Sequence, residues 1–446
     1  MRTIADWLVS AAERCPERGM GVHGVERIRF DALLERSQRV AGGLRQAGLA
    51  PGEPVVLLTH RPEVFFPAFW GVVLAGGTAV PLAGARDASP HEARRLRRVL
   101  TFMRDPRVLE DDLPSGKPLH EPGEAPPLVQ FSSGTTRHPA GIVLEHRHLI
   151  ANVEQMVERF PIHEGDLKLT WMPHYHDMGL IGCHLLPLAM GMEQLRMRPD
   201  QAMRDPLVWL RAAEESGATL LSTTNFALAR ATERLRGHAV DLSRVRHIFN
   251  GAEPIQAQVC RAFCQVSGLP DSVHVPLYGL AEASVGVCAP DHGGLHTIEV
   301  DGLERVIIGP LLDGMQGRVV DGELQVRGPN VHERLWGEAP HGKPWVGTGD
   351  VVVDTPQGLA IVGRRKDLVV VNGRNLHADD VEHLAEEVEG VRFAVAFPET
   401  RDEAEALALR VQVDRGLDPP PVLWALQDHL RGQLGVEVRC EAVFAI

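Results

Sequence analysis

The 446-residue chain is predicted to be an α/β protein. Its large N-terminal domain is built from α/β subdomains plus a small β subdomain, and a small mobile α+β lid domain follows. Three observations favour this architecture. Strand and helix patterns alternate through residue 279, which is typical of largely parallel sheets. From about residue 300 short strands are separated by glycine turns, and after Asp367 the pattern becomes strand, helix, strand, strand, helix.

The N-terminal elements follow from hydrophobic periodicity. Residues 31–47 place Leu33, Val40 and Leu44 on one helical stripe, and Gly48 then ends the helix. The alternation continues with predicted strands at 54–60, 219–224 and 272–279 and predicted helices at 63–77 and 257–268. This order predicts α/β subdomains with largely parallel sheets.

The domain boundaries are placed where the pattern changes. The N-terminal domain is predicted to span residues 1–363, with the antiparallel β subdomain at its end, and the lid domain to span residues 368–446. Residues 364–367 are predicted to form the hinge, because rotation of a lid needs only a few flexible residues between flanking strands.

The charge and hydropathy of the chain exclude several classes of function. A formal net charge of −13 argues against nucleic acid as a partner. No apolar run approaches the roughly 18 residues of a membrane-spanning helix, so no membrane insertion is expected. The first twenty residues carry charges throughout and lack the apolar core of a signal peptide, which predicts a cytoplasmic protein.

Cysteine and lysine are both scarce. Cys260 and Cys264 lie one helical turn apart, but the sequence has no second pair and His274 is isolated, so packing within a helix is favoured over a metal site. Of the 46 basic residues, the lysines are Lys117, Lys168, Lys343 and Lys366. A catalytic lysine therefore has few candidate positions.

Five polar blocks are better suited to binding a nucleotide, a metal ion or a carboxylate than to forming a core. They occupy residues 131–141, 171–180, 249–254, 277–284 and 346–375. In the first block, hydroxyl side chains beside a glycine can present donors and backbone N–H groups to phosphate oxygens. This block lies between an apolar strand and a helix, as a phosphate loop requires, although no GK[ST] motif closes it. Its residues are Ser132, Ser133, Gly134, Thr135 and Thr136.

In this order the blocks resemble the adenylate-forming superfamily. They are most similar to the fatty acyl-AMP ligases, whose hallmarks are YHDMGL, NGAEP and a GRN after the hinge. The resemblance implies that ATP and Mg²⁺ are used to convert a carboxylic acid, expected to be a fatty acid, into an acyl-adenylate. The acyl group is then passed to the thiol of an acyl carrier protein. Two alternatives stay open: transfer to CoA or an amine, and a non-catalytic relative that binds a nucleotide or an acyl-adenylate.

The resemblance also implies which residues bind the nucleotide and the metal ion. Tyr278 is expected to stack on adenine, Asp350 to accept hydrogen bonds from both ribose hydroxyls, and Arg364 to approach the same ribose. Glu282, together with Thr136, is expected to bind Mg²⁺ and so to act in catalysis. The set expected around ATP or AMP is Ser132, Ser133, Gly134, Thr135, Thr136, Gly251, Ala252, Glu253, Tyr278, Gly279, Asp350 and Arg364.

The residues expected to bind the acid come from two segments. By resemblance, His176 lines the path of the acyl carboxylate and acts in catalysis, while Gly179 leaves room for the chain. A metal site is the alternative for this segment, because His174 and His176 would share one face of a strand. No further ligand is evident, so the acyl path is favoured. The expected acid-binding set is His176, Asp177, Gly179, Asn225 and Phe226, the last two in an acyl tunnel.

Two departures from the family pattern concern catalysis. In the phosphate loop the family has a glycine and a lysine where this chain has Arg137 and Ala140, and Arg137 is the expected replacement for the lost charge. Family members also carry a catalytic lysine in a C-terminal loop, whereas no lysine follows Lys366 here. Losing that charge is expected to slow adenylation by about 10²–10³. A truncated sequence, a charge from another residue, or a changed role would each explain the difference.

Overall fold

The structure is a computed structural model. It describes residues 2–84, 90–104, 106–120, 123–131, 140–300, 302–340, 342, 345–365, 368–371, 374–401, 404–414, 416–434 and 438–443. Helices and strands occur throughout these residues, so the predicted α/β class is confirmed.

The elements of the described residues are numbered in chain order. The strands are β1 Gly19–Val22, β2 Val25–Arg29, β3 Pro54–Leu57, β4 Thr78–Pro81, β5 Arg107–Leu109, β6 Leu128–Phe131, β7 Gly141–Leu144, β8 Leu167–Thr170, β9 Glu193–Arg196, β10 Leu220–Thr223, β11 His247–Asn250, β12 His274–Pro276, β13 Tyr278–Gly279, β14 Gly286–Cys288, β15 His296–Val300, β16 Leu303–Gly309, β17 Gln316–Val320, β18 Glu323–Arg327, β19 Val346–Thr355, β20 Gly358–Arg364, β21 Leu368–Val371, β22 Arg374–His377, β23 Val391–Arg401, β24 Ala404–Val413 and β25 Arg439–Val443. The α-helices are α1 Ala5–Arg14, α2 Phe30–Gln46, α3 Pro62–Leu74, α4 Pro90–Phe102, α5 His146–Arg159, α6 Leu186–Ala189, α7 Pro199–Arg204, α8 Pro206–Ser216, α9 Asn225–Leu235, α10 Ala257–Ser267, α11 Ala378–Glu386 and α12 Pro419–Leu434. A π-helix spans Met178–Leu185, and short 3-10 helices span Asp271–Val273 and Ala281–Ala283.

Two largely parallel sheets form the first part of the fold. In the described residues the first sheet has the order β12–β11–β10–β8–β9–β1–β2, and its strands are parallel apart from the β1–β2 hairpin. The second has the order β5–β3–β4–β6–β7, with β7 antiparallel to β6. Parallel strands end at the same edge of a sheet, so the loops after β8, β10, β11 and β12 lie close to one another.

The helix α3 shows how sequence and burial agree in this part of the chain. Apart from Glu63 in its first turn, its side chains are apolar on every face, and a helix of that kind is buried rather than amphipathic. Phe65, Phe66, Phe69 and Trp70 are fully buried in the main core. Within the described part of the chain, no helix is long and apolar enough to cross a membrane.

A third sheet corresponds to the β subdomain that the glycine-separated strands predict. Its order is β15–β16–β20–β19–β18–β17, and the neighbouring strands are antiparallel. The register of β19 and β20 pairs Asp350 with Arg364. Two of the predicted site residues are therefore brought together by strand pairing.

The C-terminal segment has a core of its own. Val381, Leu409 and Leu426 are fully buried in a cluster formed by α11, α12 and the sheet β23–β24–β25. The described segment adds β22 and β25 to the predicted pattern. A separate core agrees with a lid domain, but residues 366 and 367 lie outside the described residues, so the boundary and the hinge stay predictions.

The extended conformation considered for His174 and His176 is wrong. Strand β8 ends before these residues, which lie in a turn that leads into the π-helix. His174 is buried, and its Nε2 lies 3.0 Å from the carbonyl oxygen of Thr59. The side chain of His176 is instead 43% exposed. The two rings therefore do not share a strand face.

Candidate active site

A cavity of about 570 Å³ lies at the carboxyl ends of the parallel strands, where open α/β sheets bind ligands. Gln130 Nε2 donates a hydrogen bond to the Tyr175 carbonyl oxygen (3.0 Å), which joins the second sheet to the loop after β8. The cavity brings together nine of the predicted site residues, namely His176, Asp177, Gly251, Ala252, Tyr278, Gly279, Glu282, Asp350 and Arg364.

Asp350 is the centre of a polar cluster in this cavity. Its side chain is buried, and one carboxylate oxygen accepts a hydrogen bond from the Tyr278 hydroxyl (2.5 Å). Its other oxygen lies 3.0 Å from Nε of Arg364, whose side chain is half exposed. The pKa of the Tyr278 hydroxyl is raised well above its usual value, mainly because the side chain is buried and also because of the negative charge of Asp350. Tyr278 therefore remains a hydrogen-bond donor at neutral pH.

The turn that precedes Asp350 fixes the position of its carboxylate. Gly349 has a φ of +75°, which favours glycine, and its N–H donates to Glu323 Oε1 (3.0 Å). The Thr348 hydroxyl donates to the Leu324 carbonyl oxygen (2.9 Å) and accepts from the Asp350 N–H (3.1 Å). Each residue of the TGD motif thus has its own structural role.

Glu282 lies in the 3-10 helix Ala281–Ala283, and its half-buried side chain lines the cavity. Burial raises the pKa of Glu282 above its usual value. The carboxylates of Asp177 and Asp350 act in the same direction, whereas the guanidinium of Arg364 opposes them. This end of the cavity therefore carries an excess of negative charge among its described residues.

The acidic end of the cavity fits a magnesium ion that arrives with a nucleotide. Within the described residues, no three His, Cys, Asp or Glu side chains form a metal-binding group by themselves. Mg²⁺, however, usually binds one or two carboxylates together with substrate phosphates and water. Glu282 suits that arrangement, while Thr136, the other predicted ligand, lies outside the described residues.

The loop after β8 presents His176 to the cavity. His176 Nδ1 lies 2.5 Å from Oδ1 of Asp177, and the same oxygen accepts a hydrogen bond from the Met178 N–H (2.6 Å). Asp177 thus caps the π-helix and orients the imidazole at the same time. Both side chains line the cavity, as predicted for the path of the acyl carboxylate.

Gly179 and Gly182 differ in what surrounds them. A Cβ on Gly179 would lie 1.9 Å from the Pro173 carbonyl oxygen, so this glycine permits a close contact between backbone segments. Gly182 lines the cavity, and a Cβ there would meet nothing within 4 Å. The open space predicted at Gly179 is therefore found three residues later, at Gly182.

We expect the two glycines to respond differently to alanine. Gly179→Ala should lower the free energy of unfolding by about 1–3 kcal/mol, because the Cβ would displace the backbone at Pro173. Gly182→Ala should leave stability unchanged or raise it slightly, since alanine favours helix more than glycine does. Urea unfolding of both variants tests this difference, and equal losses of stability would contradict it.

The NGAEP block reaches the cavity through its backbone. Gly251 and Ala252 line the cavity next to Tyr278. Ala252 has a φ of +71°, which is uncommon for a residue with a Cβ. The Leu277 N–H donates to the Asn250 carbonyl oxygen (2.8 Å), so the loops after β11 and β12 are held together beside the aromatic ring.

Three further predicted residues support this loop and lie outside the cavity's described lining. The Glu253 carboxylate accepts a hydrogen bond from the Phe226 N–H, and Asn225 Oδ1 accepts one from the Gln256 N–H (3.0 Å). The Phe226 ring is 42% exposed, and its centroid lies 6.3 Å from that of Phe393 in the C-terminal segment. Their predicted roles in binding the nucleotide and the acyl chain stay predictions.

The predicted phosphate loop falls outside the described residues. Ser132, Ser133, Gly134, Thr135, Thr136 and Arg137 all belong to this segment. Its flanking strands are described: Phe131 at the end of β6 pairs with Gly141 at the start of β7, and Phe131 lines the cavity. The roles of the loop residues therefore stay predictions.

The inner end of the cavity was not predicted from the sequence. It is lined mainly by apolar side chains, with the ammonium of Lys168 and the hydroxyl of Ser222 among them. Lys168 lies in a four-residue strand, and the scarcity of lysine was the available signal. The apolar residues are Met156, Phe160, Leu186, Phe249 and Leu312.

Comparison with known proteins agrees with this geometry. A family model described as AMP-binding enzyme matches residues 90–338, which is more than half of the 446 residues. Long-chain-fatty-acid–AMP ligase FadD32 of Mycolicibacterium smegmatis is 30% identical over 450 residues, covering 79% of this chain and 71% of the relative. Long-chain-fatty-acid–AMP ligase FadD26 of Mycobacterium tuberculosis is 29% identical over 481 residues, covering 87% of this chain and 81% of the relative.

The fold is shared with solved structures of adenylate-forming proteins. A structure from a study of fatty acyl-adenylate ligases of E. coli and L. pneumophila has a TM-score of 0.89 at 23% identity and covers 99% of this chain and 94% of the other. The structure of McyG A-PCP complexed with phenylalanyl-adenylate has a TM-score of 0.87 at 21% identity, and the match covers 100% of this chain and 91% of the other. The fold and site thus define an adenylate-forming protein. The chain belongs to the AMP-binding enzyme family, and its predicted similarity to fatty acyl-AMP ligases is confirmed.

Proposed function

We propose that this protein activates a carboxylic acid with ATP to form an acyl-adenylate and passes the acyl group to the thiol of an acyl carrier protein. The observation that carries the proposal is a continuous cavity with two chemically different ends. One end holds Asp350, Tyr278, Arg364 and Glu282, and the other is largely apolar. An acyl-adenylate has the same two parts, a polar nucleotide and an acyl chain.

The nucleotide end supplies preorganised hydrogen-bonding groups. Asp350 accepts hydrogen bonds from the ribose hydroxyls, and its orientation is fixed by Tyr278 and Arg364 before the nucleotide arrives. Adenine lies between the Tyr278 ring and the backbone of Gly251 and Ala252. A binding group that needs no reorganisation loses less free energy when its ligand binds.

Acyl-adenylate formation is a displacement at the α-phosphorus of ATP. A carboxylate oxygen of the acid forms the new P–O bond, and the bond to the α,β-bridging oxygen breaks as pyrophosphate leaves. His176, oriented by Asp177, lines the approach of the carboxylate, and Arg137 is proposed to face the departing pyrophosphate. A magnesium ion bound by Glu282, Thr136 and phosphate oxygens would supply charge neutralisation. The protein mainly positions the reactants and stabilises charge.

In the second step the thiol sulfur attacks the acyl carbonyl carbon. The C–O bond to the phosphate breaks, AMP leaves, and the thiol proton is released. Residues 368–446 are proposed to act as the lid for both steps, with 364–367 as the hinge. Arg364 supports this assignment, because it contacts Asp350 at the nucleotide end and is also the first residue of the proposed hinge.

Two assays test the proposed reaction. Carboxylate-dependent exchange of pyrophosphate into ATP reports the first step, and hydroxylamine trapping reports the acyl-adenylate itself. Supplying synthetic acyl-adenylate with a phosphopantetheinyl carrier protein, CoA or an amine identifies the acceptor. We expect thioester formation on the carrier protein. Binding of AMP without activity in either step, over a broad panel of acids and acceptors, would instead establish a non-catalytic binding protein.

A further inference from the structure

Lys168 is a buried cation that the proposed chemistry does not use. It lies in the central strand β8, where it pairs in register with Leu220 of β10 and Gln194 of β9. The residue is only 5% exposed, yet it lines the cavity. The last residue of β8, Thr170, aligns with Ser222 of β10. Lys168 comes two residues earlier in β8, so its Cα lies about 7 Å further from the carboxyl edge of the sheet.

The Lys168 ammonium contacts an aromatic ring and no anion that the structure describes. Nζ lies 3.8 Å from the centroid of Phe249. Within the described part of the chain, no oxygen accepts a hydrogen bond from Nζ. The carboxylate of Asp166, two residues earlier, already pairs with Arg246 (2.6 Å) and accepts from the Thr219 hydroxyl (2.7 Å).

Desolvation of this ammonium is costly. Burial lowers the pKa of Lys168 to about 8, although Cys183 and Asp166 act in the opposite direction. The side chain is therefore still mostly protonated near neutral pH. A cation–π contact offsets only part of the free-energy cost of burying an ion. Methionine would fill the same space without that cost, so packing alone does not account for a lysine here.

The surroundings of Lys168 separate it from the nucleotide end. Lys168 lies two residues before the carboxyl end of β8, whereas Asp177, Glu282 and Asp350 lie in the elements that follow the strand ends or belong to the β subdomain. Lys168 shares its end of the cavity with the ring of Phe249, and apolar side chains such as Met156, Phe160 and Leu186 also line the cavity. The Ser222 hydroxyl, which accepts a hydrogen bond from Cys183 Sγ (3.4 Å), adds one polar group to the lining. An acid with an apolar middle and a polar far end matches this sequence of surfaces.

We propose that the acid bound by this protein is a dicarboxylic acid, and that Lys168 binds the carboxylate distant from the reacting one. This inference rests on the proposed function and names the substrate class for the same cavity. Lys168 is then a specificity-determining residue. The distal carboxylate would form an ion pair with the buried ammonium of Lys168. A monocarboxylic acid of the same length would leave that ammonium without an anionic partner.

The test uses stable adenylate mimics and the 446-residue chain. The probes are 5′-O-sulfamoyladenosine itself, its acyl derivatives from butyric to decanoic acid, and the matching half-amides from succinic to sebacic acid. Calorimetry on the wild-type protein should show that at least one dicarboxylic derivative binds about tenfold to one hundredfold more tightly than its monocarboxylic match. If no dicarboxylic derivative binds more tightly than its match, the inference is overturned.

Two lysine variants assign the preference to one side chain. Lys168→Met should abolish the preference for the dicarboxylic probe and leave or improve binding of the monocarboxylic one. Lys117→Met, at an exposed position, should retain the wild-type preference. If Lys168→Met still bound the dicarboxylic probe more tightly than its monocarboxylic match, another residue would bind the distal carboxylate, and the assignment to Lys168 would be wrong. Failure of unsubstituted sulfamoyladenosine to bind would overturn the proposed function itself, a result distinct from loss of the acyl preference.

Discussion

Replacing Asp350 by alanine is expected to weaken AMP binding by about 2 kcal/mol, or roughly thirtyfold. The carboxylate is buried, and in our proposal it accepts hydrogen bonds from both ribose hydroxyls. The substitution also removes the partner of the Tyr278 hydroxyl and of the Arg364 guanidinium, so the aromatic ring and the charge that face the nucleotide lose their fixed positions. Part of the loss should therefore come from disorder in the groups that remain.

Two companion variants make this measurement specific. Asp354→Ala removes an exposed carboxylate from the same strand β19 and should leave the affinity for AMP unchanged. Asp350→Asn keeps the size of the side chain but loses its charge, so its affinity should lie between those of the wild type and the alanine variant. The assignment of the ribose to Asp350 would be wrong if calorimetry gave Asp350→Ala the affinity of Asp354→Ala.

The parts of the fold that the sequence predicts well are those set by local periodicity. The helix predicted at 31–47 is α2 Phe30–Gln46, and the apolar helix predicted at 63–77 is α3 Pro62–Leu74. In α2 the apolar stripe repeats over several turns, and in α3 the apolar run is long enough to indicate a buried helix, so both signals are strong. The strands of the β subdomain were likewise predictable, because glycine turns separate short apolar runs.

The site residues that could be predicted from the sequence are those that belong to recognisable motifs. Asp350 and Arg364 belong to recognisable motifs, and the register of β19 and β20 then pairs them. The difference between Gly179 and Gly182 depends on a π-helix, whose hydrogen bonds span one residue more than those of an α-helix. This changes which residues face the cavity, and sequence spacing does not reveal it.

Lys168 illustrates a different limit of sequence analysis. A single lysine inside a short strand is compatible with an exposed strand face, and only the position of β8 in the middle of the first sheet buries it. Its closest aromatic partner, Phe249, is distant in sequence and adjacent only through the pairing of β10 with β11. The inner end of the cavity is thus formed by tertiary contacts that no local pattern encodes.

The second large effect is expected at Glu282. Glu282→Gln should lower the rate of magnesium-dependent pyrophosphate exchange by about 10²–10³, the usual loss when one preorganised charge is removed from a transition state. The substitution preserves the shape of the side chain and removes the negative charge. In the wild type, burial and the neighbouring carboxylates of Asp177 and Asp350 disfavour that charge in the absence of a cation. The amide has no such penalty, so the fold should be retained.

Comparison of two ligands separates a metal-binding role from a general role in binding the nucleotide. AMP, which binds without magnesium in this proposal, should have the same affinity for Glu282→Gln as for the wild type, whereas Mg·ATP should bind more weakly. Glu299→Gln, at an exposed position of β15, is the matched control and should change neither affinity. If Glu282→Gln exchanges pyrophosphate at the wild-type rate with an unchanged dependence on magnesium, the metal ion is bound by other residues. If Glu282→Gln lost equal affinity for AMP and for Mg·ATP, Glu282 would instead have a general role in binding the nucleotide.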